Sequence, residues 1–202
     1  MRSPPPRYPA AQRATSCRLR AGRPRRPGFT LIELMITVTV LAVLLALAAP
    51  YFGRQIRDSR LASVTSELRD ALSRARTEAM SRAAPATACI SSDGESCTGG
   101  GRWEVGWIVF ADANGNAAVD VGEAVLRVHQ AGGGGITVRG TGNVANHVVF
   151  DGLGRAVLQA VGELLVCDER GLAEGRAVSV DTSGHIAALA ASATAAQSCT
   201  PR

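Results

Sequence analysis

Glu33 is a carboxylate set in an otherwise apolar run, "FTLIELMITVTVLAVLLALAA", from Phe29 to Ala49. An acid inside hydrocarbon costs about 3 kcal/mol even on lenient insertion scales, so its presence there points to a cationic partner and to function. A second set of oxygen donors lies in "DANGNAAVDVGE". Asp112, Asn114, Asn116, Asp120 and Glu123 fall there at positions one, three, five, nine and twelve of a calcium-loop count. The sixth position, where such a loop turns sharply on a glycine, is Ala117. Asn, Gly and Asp between two strand-like runs also make an ordinary hairpin connection, so the turn is the preferred reading and no metal is expected. The histidines, His129, His147 and His185, show no metal spacing and adjoin no nucleophile elbow. "DTSGH" brings Asp181, Ser183 and His185 together along the chain, but the members of a catalytic triad are assembled by the fold, not by sequence proximity. Neither catalysis nor a cofactor is expected.

The run that carries Glu33 is 21 residues long, enough to cross about 30 Å of hydrocarbon as a helix. Arg18, Arg20, Arg23, Arg25 and Arg26 crowd its N-terminal side, and the positive-inside bias keeps that end cytoplasmic. Residues 1–28 hold eight of the 22 Arg and no acid; the rest carries 14 Arg against 17 acids, a net charge of −3. The high pI therefore belongs to the leader, which removes the main support for a general nucleic-acid role of the folded part. Cys17 lies in the leader, and Cys89, Cys97, Cys167 and Cys199 fall on the exported side. An even number of cysteines in an oxidising compartment reads as disulfides. Of three pairings, the favoured one joins Cys89 to Cys97 around "SSDGES" and Cys167 to Cys199 across an Ala/Ser-rich tail.

After Pro50 and Gly53, both able to bend or loosen a helix, Leu61, Val64, Leu68, Leu72, Ala75 and Ala79 recur at spacings of three and four. That is an amphipathic helix with one stripe to bury. Its arginines, Arg57, Arg60, Arg69, Arg74, Arg76 and Arg82, read as a solvated face, with Asp70 and Arg74 in i,i+4 relation. Then the period changes. "ATACIS", "EVGWIVF", "EAVLRVH", "ITVR", "HVVF", "ELLVC", "AVSVD" and "HIAAL" are short, Val/Ile-rich and separated by Gly, Asn and Asp clusters, as antiparallel strands are. Gly132 to Gly135 reads as a connection with no ligand role. The predicted fold is α+β: a long N-terminal helix packed on an antiparallel β-sheet domain.

Three readings of the N-terminus compete. An ordinary secretory signal would end at Ala46-Leu47-Ala48, and a plain anchor would make Glu33 accidental. The third accounts for all the residues: "RRPGFTLIE" resembles the processing site of type IV prepilins and pseudopilins. The resemblance implies that a prepilin peptidase cuts after Gly28 and methylates the new amine of Phe29, and that Glu33, the fifth mature residue, serves assembly. Pro50 sits where such proteins often carry a helix-breaking Pro, while a leader of 28 residues with six Pro is long for them. "GWIVFADANGNAAVDVGEAVLR" and "LLVCDERGLAEGRAVSVDTSGHI" further resemble the globular signatures of the GspH/FimT family of minor pilins and pseudopilins.

The expected organisation is a removed leader at 1–28, a membrane and filament-core helix at 29–50, an amphipathic helix at 51–84 and a β-rich periplasmic domain at 85–202. The partners this implies are the prepilin peptidase, other pilins or pseudopilins and the inner membrane. Cys167 and Cys199 favour the type IV pilus branch over the type II secretion branch. Some members of the FimT branch bind DNA through a "GRxR"-like motif, so Arg176, in "GRAV", and Arg170 are candidate DNA contacts. Val178 stands where the second Arg would be, and Asp168, Glu169 and Glu174 flank the stretch, so any such binding is expected to be weak and salt-sensitive. On the turn reading of Asp112 to Glu123, calcium leaves the melting temperature of the domain unchanged. A rise of several degrees at millimolar calcium, abolished by Asp112→Ala, would contradict that reading.

Overall fold

The computed structural model describes residues 28–191 and Cys199. One helix, α1 (Leu31–Arg82), precedes eight strands: β1 (Ala86–Ile90), β2 (Gly106–Ala111), β3 (Val125–Gln130), β4 (Thr137–Gly140), β5 (His147–Phe150), β6 (Gly162–Cys167), β7 (Arg176–Val180) and β8 (Ile186–Ala190). Each of the eight short apolar runs in the sequence becomes a strand. The chain divides into two units, one ending at Ala46 and the other beginning at Leu47.

In the first unit α1 is apolar on every side, and its large side chains, Leu31, Leu34, Leu41 and Leu44 among them, are all more than half exposed. Among the described residues, α1 is the one helix long and apolar enough to cross a membrane. A helix apolar all round has to bury itself in hydrocarbon or in other protein. Its threonines are already provided for. Thr37 Oγ1 donates to Leu34 O at 2.9 Å, and Thr39 Oγ1 donates to Ile36 O at 2.8 Å. Such bonds back to the helix carbonyls let hydroxyls enter an apolar medium without stray polar groups.

In the second unit the helical backbone continues across Pro50 and Gly53. The predicted stripe then goes to the core: Leu61, Leu68, Leu72, Ala75 and Ala79 are fully buried, and Val64 packs on them partly exposed. Each buried leucine contributes about 1.5–3 kcal/mol. The helix ends on Ala83, held at φ 50°, with Ala84 N donating to Ala79 O at 3.2 Å. That is a Schellman-type stop made with alanine where glycine is usual, and Pro85 follows it.

The strands form two antiparallel four-stranded sheets, ordered β3-β2-β1-β5 and β4-β6-β7-β8. Alternation along each strand sends Ala88, Val109, Phe150, Leu164, Val166 and Val178 to the face shared with α1. Trp103 closes this core, its indole N–H donating to Val144 O and Ala145 O, and Glu104 pairs with Arg139. The outer faces have small cores of their own. On the first sheet Cys89, Ile108 and Phe110 lie under Cys97, Val119 and Val125; on the second, Leu165, Cys167 and Ala177 lie with Cys199, Leu172 and Ala191. Each of these contains a disulfide, Cys89–Cys97 with Cα atoms 5.6 Å apart and Cys167–Cys199 at 5.7 Å.

Two expectations for the charged face of α1 are corrected. Arg76 is not solvated: half-buried, it reaches across to donate from Nε to Gly154 O at 2.9 Å. Among the described residues of α1 the i,i+4 ion pair is Glu78–Arg82, while Asp70 and Arg74 line an open groove with Arg127. Because α1 supplies the centre of the core, Leu72→Ala is expected to cost about 2–5 kcal/mol. Leu153→Ala, at a site 71% exposed, should cost less than about 0.5 kcal/mol. Urea denaturation of the domain from Gly53 onward measures both, and equal losses would contradict this packing.

Candidate functional site

Gly28, Phe29 and Thr30 lead into α1, and Glu33 occupies its first turn. Thr30 Oγ1 accepts a hydrogen bond from Glu33 N at 3.2 Å, and Thr30 O accepts one from Leu34 N at 3.1 Å. Thr30 is therefore the N-cap, and Thr30-x-x-Glu33 has the spacing of a capping box. The Thr30-x-x-Glu33 spacing is the sequence signal for this cap. The helix dipole favours a negative charge in the first turn, which offsets part of the cost of the acid. It leaves the carboxylate oxygens without a donor: among the described residues no hydrogen bond or ion pair reaches them, while the neighbouring threonine hydroxyls are all engaged. Phe29, four residues before Glu33, is 83% exposed.

The calcium-count residues do come together, in the loop between β2 and β3, and their carboxylates are occupied by donors of the loop itself and by Thr87 of β1. Asp112 is fully buried. It accepts Thr87 Oγ1 at 2.7 Å, Asn116 N at 3.0 Å and Ala117 N at 3.0 Å. Asp120 accepts the side-chain amides of Asn114 and Asn116, and Glu123 accepts Ala113 N and Asp120 N. Ala117 takes φ 58°, the left-handed conformation that glycine would adopt more easily. These acids hold a turn together with protein donors.

Asp181 accepts both Ser183 Oγ and His185 N, an Asx-type turn between β7 and β8. These bonds, Ser183 first, hold its carboxyl below the ordinary range. The Ser183 hydroxyl is thus spent on Asp181, and among the described residues no hydrogen bond joins it to the His185 ring.

The two candidate DNA contacts are placed differently. Arg176 begins β7, exposed, and shares a shallow groove with Glu174. Arg170 is drawn into an ion-pair knot, 2.8 Å from Asp58 on α1 and 2.7 Å from Asp168. Burial pushes the Asp168 carboxyl up, and the Arg170 hydrogen bonds outweigh it, leaving it below its usual value. Arg170 is a tie between α1 and the loop after β6, which sequence reading could not see because Asp58 lies far along the chain.

A family model described as Type II transport protein GspH matches residues 64–184, and one described as Prokaryotic N-terminal methylation motif matches residues 23–49. Two crystal structures of the type IV minor pilin FimU of Pseudomonas aeruginosa are similar to this chain. One is 22% identical, covers 64% of this chain and 87% of that one, and has a TM-score of 0.52. The other, in a second crystal form, is 25% identical over 62% of this chain and 90% of that one, with a TM-score of 0.48. No curated protein matches by sequence. The GspH match takes in α1 from Val64 onward and the strands up to the turn before β8, more than half of the sequence, and the methylation-motif match takes in Gly28 and Glu33: the chain belongs to the GspH family.

Proposed function

We propose that the chain is a minor pilin that takes part in type IV pilus assembly, at initiation or at the tip. Prepilin peptidase removes residues 1–28 on the cytoplasmic side and methylates Phe29. Residues 29–50 hold the subunit in the inner membrane and then enter the filament core, with 51–84 and 85–202 forming the periplasmic domain. The observation that carries this reading is the Glu33 carboxylate, which finds no partner among the described residues, in an exposed apolar run whose threonines are all hydrogen-bonded. Cleavage creates a cationic amine at Phe29, and in a stack of subunits the Glu33 of one can lie beside the amine of its neighbour. A buried charge is tolerable when paired and costly when orphaned, so the pair sets the register of assembly.

The fold shared with FimU, a type IV minor pilin, supports the same reading. The family description favours a second one, a pseudopilin of type II secretion, and the filament that takes up the protein separates the two. DNA contact at Arg176 is a lesser part of the proposal, since Arg170 is committed to Asp58 and Asp168. Glu33→Gln, isosteric and uncharged, is expected to leave cleavage intact. Breaking a buried pair costs about 3–5 kcal/mol, so incorporation into filaments should fall about tenfold or more. Immunoblots of sheared filaments against whole cells measure this, and normal incorporation of the variant would refute the pairing.

A further inference from the structure

The end of the domain where α1 enters it carries a cavity of about 420 Å³ between α1 and two loops, lined by Arg57, Arg60, Gly134, Gly135, Asp168 and Glu169. β4 starts and β6 ends here, with Thr137 opposite Cys167. The charges are unevenly committed. Asp168, Arg170 and Asp58 are tied to one another, and Arg57 pairs with Glu169 at 3.1 Å across two exposed side chains. Among the described residues Arg60 and Arg54 form no ion pair. The Arg60 guanidinium lies against Gly134, where an added Cβ would come within 3.3 Å of it. Gly134 and Gly135 have φ of 113° and 72°, and among the described residues the amides of Gly132 to Gly135 donate no hydrogen bond. An uncommitted guanidinium beside free backbone N–H groups is the chemistry of a phosphate site. The exposed carboxylate of Glu169, held only by a surface ion pair, lies on the same cavity.

The neighbouring surface says where such a phosphate would come from. Tyr51, Phe52 and Ile56 are each more than half exposed, and exposed aromatics just past an apolar run mark the membrane interface. Arg57 follows Phe52 by about 7.5 Å of helix rise, close to the depth of the headgroup layer.

We propose that this cavity binds the headgroup of a phospholipid bearing a primary ammonium, the phosphodiester on Arg60 and the glycine amides and the ammonium on Glu169. The site rests on the reading that the apolar start of α1 is held in a membrane. A methylated choline headgroup offers the same phosphate but no N–H donor, which gives the two halves of the site separate signatures.

Native mass spectrometry of the full chain, purified in detergent with equimolar phosphatidylethanolamine and phosphatidylcholine of matched acyl chains, reads retained lipid. Retention of the ethanolamine lipid should exceed that of the choline lipid by about twofold to fivefold, the worth of one exposed ion pair. Glu169→Gln should erase the difference, and Arg60→Ala should lower retention of both lipids. Both residues are exposed, so the variants fold, and Arg127→Ala on the far groove should match the parent. Equal retention of the two lipids by the parent, or a preference unchanged in Glu169→Gln, overturns the headgroup site alone. A chain that retains no lipid of either class overturns the membrane reading and the site with it.

Discussion

One helix has to satisfy two environments, and the rest of the molecule follows from that. The backbone of α1 is hydrogen-bonded within itself wherever it goes, which is the condition for entering hydrocarbon. Its side chains change allegiance along the way. Up to Ala46 the large apolar ones are more than half exposed on every side, whereas from Leu61 most of the apolar ones form a single stripe under two sheets. The first arrangement needs a partner outside the chain, lipid or other helices. The second completes itself. Glu33 lies in the first, where hydrocarbon or other helices rather than water would surround a carboxylate that meets no donor among the described residues, which is why it carries so much of the functional reading.

The domain built on the second half is thin, with two four-stranded sheets sharing one helix. Each sheet leaves an outer face that a helix would cover in a larger fold. Here loops do it, and a disulfide anchors each cover, Cys89–Cys97 on one sheet and Cys167–Cys199 on the other. Small exported domains short of core use cross-links in this way. In the Cys89–Cys97 loop Asp93 adds a polar staple: hydrogen bonds from Ser96, from the Glu95 and Ser96 amides and from Ser91 hold its carboxyl well below the usual range.

Much of this was legible in the sequence because it is local. Stripes at three and four spacing gave the packed half of α1, and β-branched runs between Gly and Asn clusters gave all eight strands. What stayed hidden depends on partners distant in sequence. Alternation reveals which residues share a face but not which strands pair, so the division into two sheets was not readable. Arg76 looks like any surface arginine until Gly154 arrives beside it, and Arg170 looks like a free cation until Asp58 does. Asp112 reads as a turn residue, yet its burial is made possible by the hydroxyl of Thr87 on β1. At the N-terminus the apolar run with its acid is plain, and the cap on Thr30 is equally local, signalled by its spacing to Glu33.

The central claim is that Gly28–Phe29 is the boundary between leader and working protein, so that a cationic amine comes to stand four residues before Glu33. Intact-mass and N-terminal peptide spectrometry of the protein from filaments or membranes tests this most directly. The account predicts a chain that starts at N-methylated Phe29, with residues 1–28 gone. A chain that keeps Met1, or one that starts near Ala49, would contradict it.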